Sequence, residues 1–420
     1  NTTGADNVAI GANALDGNTT GSDNVAVGKS ALNNLTTNNG NVAVGHNSLA
    51  SLVNGTGNTA LGDRTLEDNT AEHNTALGYF ALLNNTSGTS NTAIGSGALD
   101  ANTTSSNSTA IGFNSLTNST GANNTAVGYK SLESNTTGTE NVAVGTGALT
   151  SNTSAQGITA IGKDALNDNT TGATNTAVGF QALTSNTTGS ENTAVGYECL
   201  EDCTTGTRNT AIGRIALREL TTGELNTAVG REAGRDATTG DQNTFLGRSA
   251  GEQMTTGSNN TFIGNDAGRS GTPGGTVTTQ SNRICLGNSS ITDFFCKVDV
   301  SPTSDERDKT DITDFTHGLS WINKLRPVTY RWDERINYSD DLSVVPDGTH
   351  KKDRLNIGLL AQEELEVEKE HGYGNDENDM LITRLSSDGK QYSMTYSRLV
   401  PILINAIKEL SVEVNALKAA

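Results

Sequence analysis

Along residues 1–268 the hydrophobic positions fall into two short patches that alternate with polar turns of Asn, Thr and Gly. A representative copy reads Asn175-Thr176-Ala177-Val178-Gly179-Phe180-Gln181-Ala182-Leu183, followed by the turn Asn186-Thr187-Thr188-Gly189. The glycine after the first patch recurs from Gly11 to Gly264 at intervals of 17 residues, shortened to 16 at Gly62–Gly78 and Gly112–Gly128. A fixed short period is the signature of a solenoid in which each repeat is one coil. Seventeen residues are too few for a helix plus a strand with loops, so the expectation is two strands and two turns per coil. Strands stack about 4.8 Å apart, which makes sixteen coils a rod roughly 75 Å long. Asn and Thr at equivalent positions are expected to stack into ladders, with Gly supplying positive φ at the turns.

Adjacent strand residues point to opposite faces. If Ala177 and its equivalents fill the narrow roll, the Val/Ile/Leu column at 10, 27, 44, 61, 77, 94 and onward points out of it. A hydrophobic stripe along a whole rod marks a subunit interface, with rotational symmetry about the rod axis. The competing expectation is a wider coil that buries both columns. In the last coils Leu of the second patch becomes Gly234, Gly251 and Gly268, while Ala of the first becomes Phe245 and Phe262. Exchanges of opposite sign conserve core volume, so the two rings are expected to fill the space the leucines vacate.

The period breaks at Gly271-Thr272-Pro273-Gly274-Gly275. A degenerate coil, Ile284-Cys285-Leu286-Gly287, follows, then Phe294-Phe295-Cys296-Lys297-Val298 and the boundary Val300-Ser301-Pro302-Thr303. Three regions result: a repeat shaft over 1–268, a junction over 269–303, and a C-terminal domain over 304–420. At the end of the chain Val400, Leu403, Ile407, Leu410, Val414 and Leu417 follow 3-4-3-4-3 spacing, a heptad seam on a helix that Pro401 can begin. Spacing alone fits a trimerisation seam and an amphipathic helix packed on its own domain equally. β-branched residues at the first seam position with Leu at the second favour two strands.

Composition sharpens the division. Residues 1–303 carry 13 Lys and Arg against 25 Asp and Glu; residues 304–420 carry 15 against 22, with both Trp and three of the five Pro. The whole chain has a net charge of −19 and no basic run, so nucleic acid and anionic membrane are poor partners. No apolar run is long enough to cross a membrane as a helix, and no signal peptide is evident. The sequence opens mid-repeat at Asn1-Thr2-Thr3-Gly4, which leads us to expect an attachment region ahead of it. Cys199 and Cys203, and Cys285 and Cys296, lack metal-site spacing and read as small packing residues, with a disulfide at either pair as the alternative. No metal or cofactor is expected.

Other polar positions receive plain readings. The two residues after each corner glycine, such as Lys29-Ser30, Tyr79-Phe80, Tyr129-Lys130, Tyr197-Glu198 and Arg231-Glu232, form exposed edges that read as spacer and could recognise a ligand. The Asn-Thr-Thr triplets match a glycosylation acceptor, but their regular recurrence points to turn chemistry. His317, His350 and His371 read as surface or helix-end residues, and Asp340, Asp341 and the Glu363–Glu370 run as solvated faces.

One pair has two readings from the residues alone, a polar loop entering a helix near Thr316 or a serine beside its base. Ser304 and Lys309 stand five residues apart in a polar stretch. A neighbouring base activates a serine, and a lysine can be that base once burial or positive surroundings depress its pKa. Five residues allow the two side chains to meet across a turn.

Two resemblances extend these readings. The pattern Asn-Thr-Ala-Val-Gly-x-x-Ala-Leu resembles the head repeats of trimeric autotransporter adhesins, which implies parallel β-rolls packed three to a bundle. From Ser304 onward four ordered motifs resemble the intramolecular chaperone domain (peptidase family S74) at the C-termini of phage tail fibres, tailspikes and endosialidases. They are Ser304-Asp305 with Lys309; Gly318-Leu319-Ser320-Trp321 through Arg326-Pro327-Val328-Thr329-Tyr330-Arg331-Trp332; Ile357-Gly358-Leu359-Leu360-Ala361-Gln362-Glu363; and Tyr396-Ser397-Arg398-Leu399-Val400-Pro401. This second resemblance implies a domain that drives trimer assembly and then cuts itself off, with Ser304 as nucleophile, Lys309 as base and the cut between Thr303 and Ser304. It also favours three strands over two for the terminal seam.

Together these readings give a mainly β homotrimer: a parallel β-roll rod of 17-residue repeats, then a small α+β chaperone domain ending in a helix. The function they imply is structural and adhesive, that of a phage tail fibre or related virion appendage binding a host cell-surface receptor, a glycan or protein. Its enzyme activity is a single turnover on its own backbone. Identical chains of near-identical coils are prone to register slips, and a terminal domain that trimerises first would fix the register. A cellular surface adhesin is the rival, but it is expected to carry a membrane barrel or coiled-coil stalk after such a head. A glycan-degrading tailspike would need paired carboxylates in a cleft.

Overall fold

Each repeat contributes one three-residue strand, from β1 (Val8–Ile10) to β16 (Thr261–Ile263), and β17 (Ile284–Leu286) belongs to the same sheet of 17 strands. The computed structural model describes the chain apart from residues 270, 271, 273, 274, 292, 298–302, 340, 341, 387, 388 and 420. Most of the Gly271–Gly275 break, the Val300–Pro302 boundary, Val298 and Asp340-Asp341 therefore lie outside the described residues. Two units emerge: Asn1–Asn265 with Thr278–Ile284, and Asp266–Val277 with Cys285–Ala420.

In the first unit successive strands pair parallel and in register, Thr176 with Thr193, Ala177 with Ala194, Val178 with Val195. From Ala26 to Ala228 the Ala column is fully buried, and its neighbours on either side point outward, as alternation requires. Ile10 is 60% exposed, Leu61 44% and Leu246 47%. The narrow-roll expectation therefore holds over the wide-coil one.

The expectation of two strands per coil does not hold. The second patch is a turn, with Leu183 at φ 53° and Leu200 at φ 53°. Ala182 and Leu183 are adjacent yet both fully buried, which strand alternation forbids. A left-handed residue at Leu183 breaks the alternation and sends both side chains inward. Such a conformation costs a non-glycine residue about 1–2 kcal/mol, which burying a leucine, at about 1.5–3 kcal/mol, offsets. Corner glycines answer a different need. A Cβ on Gly179 would lie 2.2 Å from the carbonyl oxygen of Gly196 in the next coil.

The polar ladders form. The N–H of Asn192 donates to Asn175 Oδ1 at 2.9 Å, and that of Asn209 to Asn192 Oδ1 at 2.9 Å. Each amide nitrogen also reaches one coil on, as Asn175 Nδ2 does to the Gly189 carbonyl at 2.7 Å. These buried side chains thus satisfy backbone groups that the short strands leave over. The Thr ladder runs through carbonyls: Thr187 Oγ1 donates to Thr204 O at 3.0 Å.

Where the leucines become glycines, Phe245 and Phe262 stack at 5.4 Å, nearly parallel and fully buried. A Cβ on Gly234 would meet the Phe245 ring at 2.8 Å, so the ring occupies the vacated space. Cys199 stands in the Ala182–Ala216 column and Cys203 in the column of Asn186. Both are free and fully buried, and burial pushes each thiol up to about 12.

The second unit holds α1 (Leu319–Ile322), β18 (Val328–Tyr330), β19 (Asn356–Gly358), α2 (Ala361–Glu370), β20 (Thr383–Leu385), β21 (Tyr392–Met394) and α3 (Leu399–Ala419). β18 pairs antiparallel with β19, and β20 with β21. Its core is Trp321, Val367, Ile382, Leu399 and Ile402. Pro401 sits in the first turn of α3, where a missing N–H costs nothing. Polar contacts clasp α3 to α1 and to the segment before it, Leu319 N–H to the Glu409 carboxylate at 2.6 Å and Asn405 Nδ2 to the Phe315 carbonyl at 2.5 Å.

The Glu363–Glu370 run is not uniformly solvated. Glu364 and Glu368 are buried, Glu364 accepting the Trp321 indole N–H at 2.9 Å and Glu368 accepting the N–H groups of Leu381, Ile382 and Thr383. His317 and His371 meet edge to face at 4.8 Å beside Trp321, His371 capping the C-terminus of α2, while His350 is exposed.

Candidate functional site

The stretch that opens the C-terminal region is shaped by one short turn. Asp305 caps a 3-10 helix, Glu306–Asp308, by accepting the Arg307 backbone N–H at 3.0 Å. The Arg307 guanidinium also pairs with Asp305 and, with that backbone bond, holds its carboxyl below the usual carboxylate range. Lys309 closes the turn by donating its N–H to the Glu306 carbonyl at 3.1 Å. A single turn folds the chain back, so Lys309 Nζ lies 2.7 Å from Ser304 Oγ and 3.3 Å from the Ser304 carbonyl oxygen.

The sequence-predicted pair is thus in hydrogen-bond contact, which is the distance proton transfer needs. Thr303, Ser304 and Lys309 are all exposed. Among the described residues nothing buries the amine, and a lysine acts as a base when desolvation or a neighbouring positive charge activates it. Lys309 Nζ donates to the hydroxyl, the reverse of the direction catalysis requires.

The six seam residues lie on α3. Its inward face, Leu399, Ile402 and Ala406, packs on the unit. Val400, Leu403, Ile407, Leu410, Val414 and Leu417 are exposed, between 38% for Val414 and 77% for Leu417. The helix therefore packs on its own unit through Leu399, Ile402 and Ala406 and not through the six seam residues. Residues 411–419 are exposed throughout. Beside the helix lies an apolar depression of about 270 Å³ lined by Ile322, Leu325, Pro327, Ile357, Leu359 and Leu403.

Sequence reasoning missed Glu364 and Glu368. The signal was present: 364, 365, 367 and 368 fall on one helical face, and Leu365 and Val367 mark that face as inward. Among the described residues no cluster of three His, Cys, Asp or Glu is placed to hold a metal ion, and no helix is long and apolar enough to cross a membrane.

Residues 304–373 match the family model Peptidase S74, described as chaperone of endosialidase. The match begins on Ser304, takes in Lys309, Trp321 and α2, and ends before the β20–β21 pair and α3. A repeat solenoid ending in such a domain resembles a tail fibre or tailspike with a C-terminal chaperone domain. No curated protein and no solved structure matches the chain.

Proposed function

We propose that this chain is the shaft and assembly domain of a homotrimeric virion appendage for host attachment, which releases its C-terminal domain by cutting between Thr303 and Ser304. The observation that carries the reading is the 2.7 Å contact between Lys309 Nζ and Ser304 Oγ at the first residue of the matched region. In its neutral form Lys309 takes the hydroxyl proton, and Ser304 Oγ attacks the Thr303 carbonyl carbon. The Thr303–Ser304 C–N bond breaks, the Ser304 nitrogen leaves as an amine with the proton returned by Lys309, and water hydrolyses the resulting ester.

Trimer formation is supported by two exposed apolar surfaces, the outward Val/Ile/Leu column of the roll and the α3 seam. Because the dyad is exposed in one chain, packing by the neighbouring copies supplies the dry surroundings the lysine needs. Cutting then follows completed assembly, and the rod left behind has no terminal domain through which to reverse it.

The test is the intact mass and solution molar mass of freshly expressed protein beside Ser304→Ala and Lys309→Ala. A wild-type product ending at Thr303, absent in both variants, establishes the self-processing fibre. An uncleaved wild-type trimer removes the peptidase and keeps the assembly domain; an uncleaved monomer removes both.

A further inference from the structure

The residue after the corner glycine forms a file along the roll, because coils stack one strand apart in register. From Lys163 the file reads Lys163, Phe180, Tyr197, Arg214, Arg231, Arg248, six consecutive coils with no acidic member. Backbone bonds tie each to the next: Gln181 N–H to the Lys163 carbonyl, Glu198 to Phe180, Ile215 to Tyr197, Glu232 to Arg214 and Ser249 to Arg231. At strand spacing the file spans about 24 Å.

Its first four members form a closed stack. The Phe180 and Tyr197 rings lie 5.2 Å apart at 11°, Lys163 Nζ sits 5.3 Å from the Phe180 centroid, and the Arg214 guanidinium 5.6 Å from that of Tyr197. All six are exposed in the chain. The fold does not require them, since Ser96 and Thr146 fill the same position in other coils. Flanking carboxylates hold part of the file in place: Asp164 pairs with Lys163, Glu198 bonds Tyr197, and Glu232 pairs with Arg231 and lies 4.0 Å from Arg214.

Ring faces are electron-rich and ring edges electron-poor. Here the faces are taken up by each other and by the two cations, so the stack shows solvent its edges and its charges. Along it the four cations Lys163, Arg214, Arg231 and Arg248 stand against the three flanking carboxylates of Asp164, Glu198 and Glu232, on a chain whose net charge is −19. We propose that this file is a docking strip for a linear anionic polysaccharide, a polyuronate or sulfated chain laid along the roll. Carboxylates or sulfates meet Lys163, Arg214, Arg231 and Arg248, and sugar hydroxyl oxygens meet the electron-poor ring edges between them. Single-stranded nucleic acid is the poorer fit, because its bases need open aromatic faces on which to stack. This deepens the attachment reading above and rests on it.

The test is fluorescence anisotropy of labelled alginate oligosaccharide with the full-length protein at low salt, beside neutral dextran and oligothymidylate. Tyr197→Ser with Arg214→Ser installs a residue type that the same position carries elsewhere, and Arg208→Ser, off the file, is the control. The expectation is salt-dependent alginate binding above dextran, weakened about tenfold by the double variant and unchanged by Arg208→Ser. Equal binding by the double variant, equal or tighter binding of oligothymidylate, or no preference over dextran overturns the strip. So does a changed solution molar mass of the double variant, which would make the file a subunit contact. Cleavage and molar mass of the wild type, measured on the same sample, report on the fibre reading separately.

Discussion

The exchange of Leu for Gly and Ala for Phe in the last coils yields a sharp thermodynamic test. Phe245 is fully buried, and truncating it to Ala removes a large ring from a packed core, at a cost of about 3–5 kcal/mol. Gly234→Ala places a Cβ 2.8 and 2.9 Å from two atoms of that ring and 2.9 Å from the flexible end of Leu217. Overpacking of this kind costs about 1–3 kcal/mol. The left-handed backbone at Gly234, φ 59°, adds about 1 kcal/mol more for any non-glycine residue. In the Phe245→Ala background the ring is gone and only the backbone term and the Leu217 methyl remain. The double variant is therefore expected to be more stable than the sum of single costs predicts, by about 1–3 kcal/mol. Denaturant unfolding of the four proteins, followed by circular dichroism at matched concentration, measures this coupling. Additive costs within about 0.5 kcal/mol would refute the claim that the ring occupies the leucine space.

Three further outcomes test other parts of the chain. Glu368→Ala strands two buried N–H groups and a half-buried one and is expected to cost about 3–5 kcal/mol in the C-terminal unit; unchanged hydrogen-exchange protection at Leu381–Thr383 would contradict this. Burial raises the Glu364 carboxyl above its ordinary 4.5, opposed by the Trp321 hydrogen bond, and its Oε2 is buried without a hydrogen-bond partner. The folded state then holds that proton more tightly than the unfolded one, so stability falls as pH rises from 4.5 through the folded value. Glu364→Gln, which keeps the acceptor for Trp321, is expected to gain on the wild type over that window; a variant less stable at pH 7, read by thermal melts, would argue against this. Finally, Cys199 and Cys203 are expected to resist iodoacetamide at pH 8 in the native protein and react only after unfolding, as mass spectrometry would show.

How much was legible in advance depended on how local the physics was. The 17-residue period, the inward Ala column, the ladders and the Phe-for-Leu compensation are set by residues that meet their own copies one coil away, and repetition writes such contacts directly into the sequence. The Ser304–Lys309 contact was legible for a similar reason, since one turn spans it. The second patch was misread because nothing in Ala182-Leu183 announces a left-handed leucine. Only the need to bury two adjacent side chains in one narrow roll selects it.

By itself, then, the sequence determined the period of the coil, its ladders and the Ser304–Lys309 contact, all interactions of short or periodic separation. Tertiary structure decided what depended on distant segments. It took Glu364 and Glu368 out of an apparently solvated run, because Trp321 and the 381–383 backbone arrive there from elsewhere in the chain. It divided α3 into a face that packs and a face that stays open. It also assembled Lys163, Phe180, Tyr197 and Arg214 into one stack, although each is an unremarkable variable position in its own repeat. A lateral surface on a solenoid consists of residues 17 apart, and its chemistry exists only once the coils are stacked.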